Sequence, residues 1–135
     1  MYRALALGLV LMLGLGCAQP DGISATSHPS WALALDRAEG QGLLDPNCRD
    51  TGAVYRVLSD PDAARQNMPS WACGYTLGDI VRIRARCTEY LPLEWLLEHE
   101  FLHAILTCSQ DGVSYKNENH IGPEWDGLRV GDMLP

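Results

Sequence analysis

A histidine, a glutamate and a second histidine stand close together in this 135-residue chain, in the pattern His99-Glu100-x-x-His103. On a helix, residues four apart lie about 40° from one another around the axis and roughly 6 Å along it, so both imidazoles face the same way. Glu100 lies about 100° around the helix from His99, which suits contact with a water molecule on a shared ion rather than ligation. The spacing therefore predicts two metal ligands and one base on a single turn.

The chemistry of such a turn is hydrolysis assisted by Zn²⁺. The ion lowers the pKa of its bound water to about 7. Glu100 takes the proton, the hydroxide attacks a peptide carbonyl, and the glutamate returns the proton to the leaving amine. We expect His99 and His103 as zinc ligands and Glu100 as the catalytic residue.

Residues 91–107, which carry these side chains, are predicted to form a helix that is buried on nearly every side. The segment has no glycine, and its only proline is Pro92, which a first helical turn accepts. Apolar residues fall on almost all of its faces, as in a central helix. Titratable side chains in such surroundings are costly unless they are paired or bound to metal, which favours a metal site over a chance match.

The elements around this helix predict an α+β fold, a small mixed or antiparallel sheet packed on one central helix. Spacing of apolar residues indicates a helix over residues 31–40, and β-forming residues indicate strands over 53–58, 73–76 and 79–86. Three tryptophans are expected to contribute to the core: Trp71, Trp95 and Trp125.

The strand over residues 79–86 alternates cleanly, with Arg82, Arg84 and Arg86 on one side, so we expect a half-buried strand with a basic, solvated outer face. Together, this strand and the helix that follows it resemble the zincin-type metallopeptidases. The resemblance implies a minimal zincin-like fold. It also implies that the strand over residues 79–86 lies at a sheet edge and aligns a peptide or protein substrate as an added strand.

A third metal ligand is expected downstream of the helix. His120 is favoured, and Glu124 is the alternative, because a related pattern places a glutamate about twenty residues after His103. The stretch 120–126 resembles a His-x-x-Pro-x-Trp element of short bacterial lipoproteins that carry the HExxH pattern. If His120 is a ligand, Glu118 or Glu124 can orient its ring; otherwise His120 is a solvated loop residue.

The N-terminus is predicted to be a signal peptide of the lipoprotein type over residues 1–16. An apolar run follows Arg3 and ends at Cys17, in a stretch that resembles the lipobox of bacterial lipoproteins. Cys17 is then the lipidation site and anchors the protein to a membrane of the cell envelope. Residues 17–30 are expected to be a flexible tether, and residues 31–135 a single domain. The alternative is a plain signal peptide and a secreted or periplasmic protein.

Four further cysteines, Cys48, Cys73, Cys87 and Cys108, suggest two disulfides in an oxidising compartment. Three pairings are possible, and we favour one in which Cys108 pairs with Cys73 or Cys87. No two of the cysteines have the Cys-x-x-Cys spacing, so a cysteine zinc site is not expected.

The formal net charge of −7 and the dispersed basic residues argue against a nucleic-acid partner. The sequence therefore favours a zinc-dependent metallopeptidase of the cell envelope that acts on peptides or proteins. The alternative is a non-catalytic, zinc-binding envelope lipoprotein in which protein groups fill all four metal positions.

Overall fold

The computed structural model describes residues 22–110, 112 and 114–133, and a four-stranded mixed sheet lies at its centre. The strands are β1 (Ile23–Ser24), β2 (Val54–Leu58), β3 (Gly74–Leu77) and β4 (Ile80–Arg84), in the order β1-β2-β4-β3. β1 is antiparallel to β2, β2 is parallel to β4, and β3 is antiparallel to β4. The strands expected from residue alternation are confirmed, and so is the α+β class.

In the described part of the chain, five α-helices accompany the sheet: α1 (Pro29–Gly40), α2 (Asp60–Arg65), α3 (Leu93–Ser109), α4 (Tyr115–Glu118) and α5 (Val130–Met133). α1 and α3 pack against each other and share one core with the sheet. Pro29 occupies the first turn of α1, where its missing N–H costs nothing, and the His28 side chain accepts a hydrogen bond from the Ser30 amide. The helix expected over residues 31–40 is thus confirmed and begins two residues earlier.

α3 is the central helix that the sequence predicts. Its buried residues occupy most of its circumference: Leu96, Leu97, His99, Glu100, Phe101, Leu102, Ala104, Ile105 and Leu106. Phe101 is fully buried, and its ring meets those of Trp31 and Tyr55 edge-on, with centroids 5.3 Å and 5.8 Å away. These contacts join α3 to α1 and to β2, so the helix that carries His99 and His103 is held from several sides.

The position of β4 corrects the expectation of an edge strand over residues 79–86. β4 lies between β2 and β3, and β3 is the edge strand on that side of the sheet. The chain turns back at Gly78, which has the left-handed backbone conformation (φ +61°) that a tight hairpin requires and glycine accepts. The hairpin therefore places β3, rather than β4, at the edge, where it packs against α3.

The expected wet face of β4 is also wrong for Arg84, which is only 5 % exposed. Its guanidinium donates to the Ala72 and Pro69 carbonyls and to the Asp60 carboxylate. α2 and the loop after it cover this side of the sheet and form a second, smaller core of Leu58, Ala63, Met68 and Ala72. Because both faces of β4 are covered, its arginine must find protein partners instead of water.

The tryptophans differ in burial. Trp125 is fully buried and Trp95 is half-buried, in agreement with the expectation for both residues. Trp71 is 83 % exposed, so its expected place in the core is wrong. Its neighbours Met68 and Ala72 enter the smaller core from the same loop, and Trp71 faces solvent.

The predicted tether over residues 17–30 is corrected in the part that the structure describes. β1 pairs with β2 through Ile23 and Tyr55, and the Ala25 amide donates to the Ala53 carbonyl. Ala25 is fully buried. The turn-forming composition predicts disorder, but backbone pairing with β2 gives this segment a place in the sheet.

Two disulfides join the four cysteines, in the pairs Cys48–Cys108 and Cys73–Cys87. The expectation that Cys108 pairs with Cys73 or Cys87 is therefore wrong. Cys108 lies at the end of α3, where the short 3-10 turn that ends at Cys48 packs against it. Cys73 and Cys87 flank the open end of the β3–β4 hairpin, which brings them together. The pairs are consistent with an oxidising, extracellular-type compartment.

Among the described residues, no helix is both long enough and apolar enough to cross a bilayer. The predicted signal peptide over residues 1–16 and the predicted lipidation site Cys17 lie outside the described residues.

Candidate metal centre

Three histidines from two regions of the chain meet in one place. His99 and His103 are on α3, and His120 follows α4; one nitrogen of each lies within 4.8 Å of those of the other two. The Nε2 atoms of His103 and His120 are 3.0 Å apart. Ligands at about 2.0–2.1 Å from a tetrahedral zinc ion are separated by roughly 3.3 Å, so the group has the dimensions of a metal site. It can hold a metal ion.

The hydrogen bonds behind the rings determine which nitrogen is free. Nδ1 of His99 lies 2.6 Å from the Leu128 carbonyl oxygen, and Nδ1 of His103 lies 2.8 Å from the Asn117 side-chain oxygen. Because these oxygens only accept hydrogen bonds, both Nδ1 atoms must donate and carry the proton. Both Nε2 atoms then hold a lone pair, which is the state that a metal requires.

Burial keeps these imidazoles neutral. It lowers the pKa of His99 to about 4, although the hydrogen bond to Leu128 opposes this effect. Burial, together with the neighbouring His99, lowers the pKa of His103 to about 3. Burial and the positive charge of Arg129 also lower the pKa of His120. At neutral pH all three rings are therefore uncharged, with one ring nitrogen free of a proton, and can act as ligands.

His120 has an unusual backbone. Its φ is +55°, in the left-handed region that residues with a side chain seldom adopt, at a cost of about 1 kcal/mol. Arg129 donates from Nε to the His120 carbonyl at 3.0 Å and from a second nitrogen to the Gly122 carbonyl at 2.8 Å. The position of the third imidazole thus depends on a guanidinium that holds its loop from behind.

A second arginine holds the same loop against α1. Arg37 of α1 donates to the Glu98 carboxylate on α3 and to the backbone carbonyls of Glu124 and Asp126. The side chain of Arg37 therefore connects α1, α3 and the loop after His120.

Glu124, the alternative third ligand, is not part of the group of three histidines. Its side chain is buried and lies over Gly122, where an added Cβ would be 2.4 Å from each carboxylate oxygen. Gly122 also has a φ of +131°. The loop therefore turns the imidazole of His120 into the group and directs the carboxylate of Glu124 elsewhere.

Trp125 contacts all three imidazoles. Its ring centroid lies 5.1 Å from that of His99, 4.5 Å from that of His103 and 4.7 Å from that of His120. Within the described part of the chain, its indole N–H has no hydrogen-bond partner. The sequence indicates a core position for Trp125 and places it in the His-x-x-Pro-x-Trp element, but it reveals neither this contact nor the role of Asn117.

Glu100 lies on another side of α3, between the helix and β3. It is 5 % exposed, and the Thr76 hydroxyl donates to its Oε2 atom at 2.6 Å. Burial raises its pKa to about 7, although the Thr76 hydrogen bond lowers it. A carboxyl group with this pKa can both accept and release a proton near neutral pH. The sequence contains no signal for the contact of Thr76 with Glu100, because β3 and α3 come together only in the fold.

The chain was compared with protein-family models, with curated proteins and with solved structures, and no match was found.

Proposed function

We propose that this chain is a zinc-dependent peptidase of the cell envelope, in which His99, His103 and His120 hold the ion and Glu100 is the base. One observation carries the proposal: three neutral imidazoles converge, while no carboxylate or cysteine of the described residues joins them. Catalytic zinc sites use three protein ligands and leave one position open, whereas structural sites use four. Glu100 follows His99 directly on α3, and its carboxyl group is buried. A metal site together with such a base is suited to hydrolysis.

Each group of the proposed site has a role that follows from its chemistry. A bound zinc ion would supply Lewis acidity, which polarises a carbonyl and makes water more acidic. Glu100 accepts a proton and returns it to the leaving amine, for which its raised pKa is suited. Asn117 and the Leu128 carbonyl keep His103 and His99 in the tautomer that exposes Nε2.

β3 is the proposed binding site for a peptide or protein substrate. It is an edge strand, it packs against α3, and its Thr76 contacts Glu100. An extended peptide can pair with the free backbone groups of such an edge. β3 also has no lysine or proline, the residues with which proteins commonly protect an edge from pairing.

The proposed location is the outer side of a membrane, with a lipid anchor at Cys17, or the periplasm or the medium if the signal peptide is of the plain type. The Cys48–Cys108 and Cys73–Cys87 disulfides support an exported protein. The acidic net charge supports the absence of a nucleic-acid partner.

The second candidate is a non-catalytic, zinc-binding envelope lipoprotein. Burial favours it, because His99 is 7 % exposed and Trp125, against all three rings, is fully buried. A metal ion in such a place can support the fold without reaching a substrate.

One experiment separates the two candidates. We would purify the protein, measure bound zinc, and measure hydrolysis of a fluorescence-quenched peptide library for wild type and for Glu100→Gln. The matched control is Glu94→Gln, which changes an exposed glutamate in the first turn of the same helix. We expect about one zinc ion per chain in all three proteins, and activity that falls by roughly 100- to 10,000-fold only in Glu100→Gln.

Cleavage that survives in Glu100→Gln would remove Glu100 as the base. One bound zinc ion without cleavage of any peptide in the library would favour the non-catalytic candidate. A wild-type protein that binds no zinc would contradict both.

A further inference from the structure

The inward face of β3 lies against the side chain of Glu100. Gly74 and Thr76 are two residues apart on this strand and therefore point to the same face of the sheet. Both contact the Glu100 carboxyl group. The edge strand β3 thus contacts the proposed base, Glu100, directly, in addition to packing against α3.

Thr76 holds one of the two carboxylate oxygens. Its hydroxyl lies 2.6 Å from Oε2 of Glu100 and 3.2 Å from the carbonyl oxygen of the same residue. A hydroxyl has one proton, and the shorter distance assigns it to Oε2. In the described residues, no donor bonds to the other oxygen, Oε1. The two oxygens of Glu100 are therefore not equivalent.

Gly74 makes room for that second oxygen. A Cβ at this position would lie 2.4 Å from Oε1 of Glu100 and 2.7 Å from its Cδ and Cγ atoms. Gly74 does not have a positive φ, so its backbone would accept other residues. The need for glycine here comes from the carboxyl group that occupies the space.

The start of β3 is held firmly as well. Cys73 forms the disulfide with Cys87, and its carbonyl accepts the Arg84 amide. The strand position from which Gly74 and Thr76 reach Glu100 is thus attached covalently to the turn that follows β4, and through the backbone to Arg84 at the end of β4.

We propose that Thr76 is a positioning residue for Glu100: its hydroxyl holds Oε2, and Gly74 leaves Oε1 the space from which it exchanges the proton. This inference rests on the proposed function, because it assigns a task only to a Glu100 that is a base. The physical reason is orientation: a carboxyl group that can rotate spends less time in the productive position.

The first test compares Thr76→Val, which has nearly the same shape without the hydroxyl, with Thr76→Ser, which keeps it. Thr88→Val is the matched control, since the Thr88 hydroxyl bonds only to the Ala85 carbonyl on the surface. With the peptide library, we expect Thr76→Val to lower kcat by up to roughly 100-fold. KM and zinc affinity should stay within about twofold, and Thr76→Ser should recover most of the activity. An equal loss in Thr76→Ser, or a parallel loss of zinc, would overturn the inference.

The second test needs no activity and uses the zinc-free protein. Thr76→Val and Gly74→Ala are each introduced into wild type and into Glu100→Ala, and urea unfolding is measured. If both residues hold the Glu100 carboxyl group, each substitution destabilises wild type and has a smaller effect in Glu100→Ala. Equal effects in both backgrounds would overturn the inference even if the protein is a peptidase. Unequal effects would support this placement of Glu100 even if peptidase activity is absent.

Discussion

The histidines of the candidate metal centre come from two regions that are held in place in different ways. His99 and His103 lie on α3, a 17-residue helix buried on most sides. His120 lies in a loop, with a left-handed backbone and a carbonyl that Arg129 holds. Regular backbone geometry places the first pair, whereas side chains from other parts of the chain place the third histidine. The helix should therefore contribute most of the metal affinity, and the loop should be the part that can adjust.

The largest expected effect is the loss of a ligand from either region. His103→Ala breaks the pair on α3, and we expect zinc affinity to fall at least roughly 1,000-fold, more than the 10- to 100-fold of a group behind a ligand. His120→Ala leaves the pair on α3 intact, so its zinc affinity should fall less than that of His103→Ala. His28→Ala is the control, because His28 caps α1 and is outside the group. Competition with a chelating indicator measures these affinities, and a larger loss in His120→Ala would contradict the comparison.

The second effect is the pH dependence of the free energy of unfolding of the zinc-free protein. The buried titratable side chains of α3 should contribute most of this dependence. The pKa of Glu100 is raised to about 7, so the folded state keeps a proton that the unfolded state loses, and stability falls as pH rises from about 4.5 through 7. The pKa values of His99 and His103 are lowered to about 4 and about 3, so stability also falls as pH drops below about 6.5.

Glu100→Gln isolates the first of these two terms. The variant should match wild type near pH 4.5 and exceed its free energy of unfolding by up to about 3 kcal/mol at pH 8, since each pKa unit corresponds to about 1.4 kcal/mol. Urea unfolding at both pH values measures the difference. Parallel pH curves for the two proteins would show that burial of Glu100 does not govern this dependence.

The smallest expected effects concern the groups behind the ligands. Asn117→Ala removes the acceptor that sets the tautomer of His103, and zinc affinity should fall roughly 10- to 100-fold. Arg129→Met frees the His120 loop but also removes a positive charge near the cation, so its net loss should be below about 10-fold. Competition with the chelating indicator tests both variants. A loss of zinc affinity in Arg129→Met above about 10-fold would mean that the loop, and not the helix, contributes most of the affinity.

The parts of the molecule that the sequence predicts well are those governed by local patterns. The apolar residues on nearly every side of residues 91–107 identify a buried helix. The spacing of His99 and His103 determines that both can reach one ion. Alternation of residues identifies the strands. The cysteine count indicates two disulfides. Each of these features depends on residues within a turn or a strand of one another, or on composition alone.

The predictions that were wrong concern contacts between distant segments. The pattern of β4 does not reveal that α2 covers its arginine face, so Arg84 was expected in water. Nor does it show that the β3–β4 hairpin places β3 at the edge. The pairing of Cys108 with Cys48 depends on where the loop before β2 packs, and no local sequence pattern predicts the position of that loop.

By itself, the sequence determined a rigid helix with two imidazoles on one face and a glutamate beside them, because helical geometry converts residue spacing directly into direction. Only the tertiary structure decided that His120 and not Glu124 approaches that pair, that Asn117 and Leu128 set the tautomers, and that Thr76 and Gly74 enclose Glu100. These contacts join segments 14 to 29 residues apart in the chain. Their geometry exists only after the core around α3 has packed.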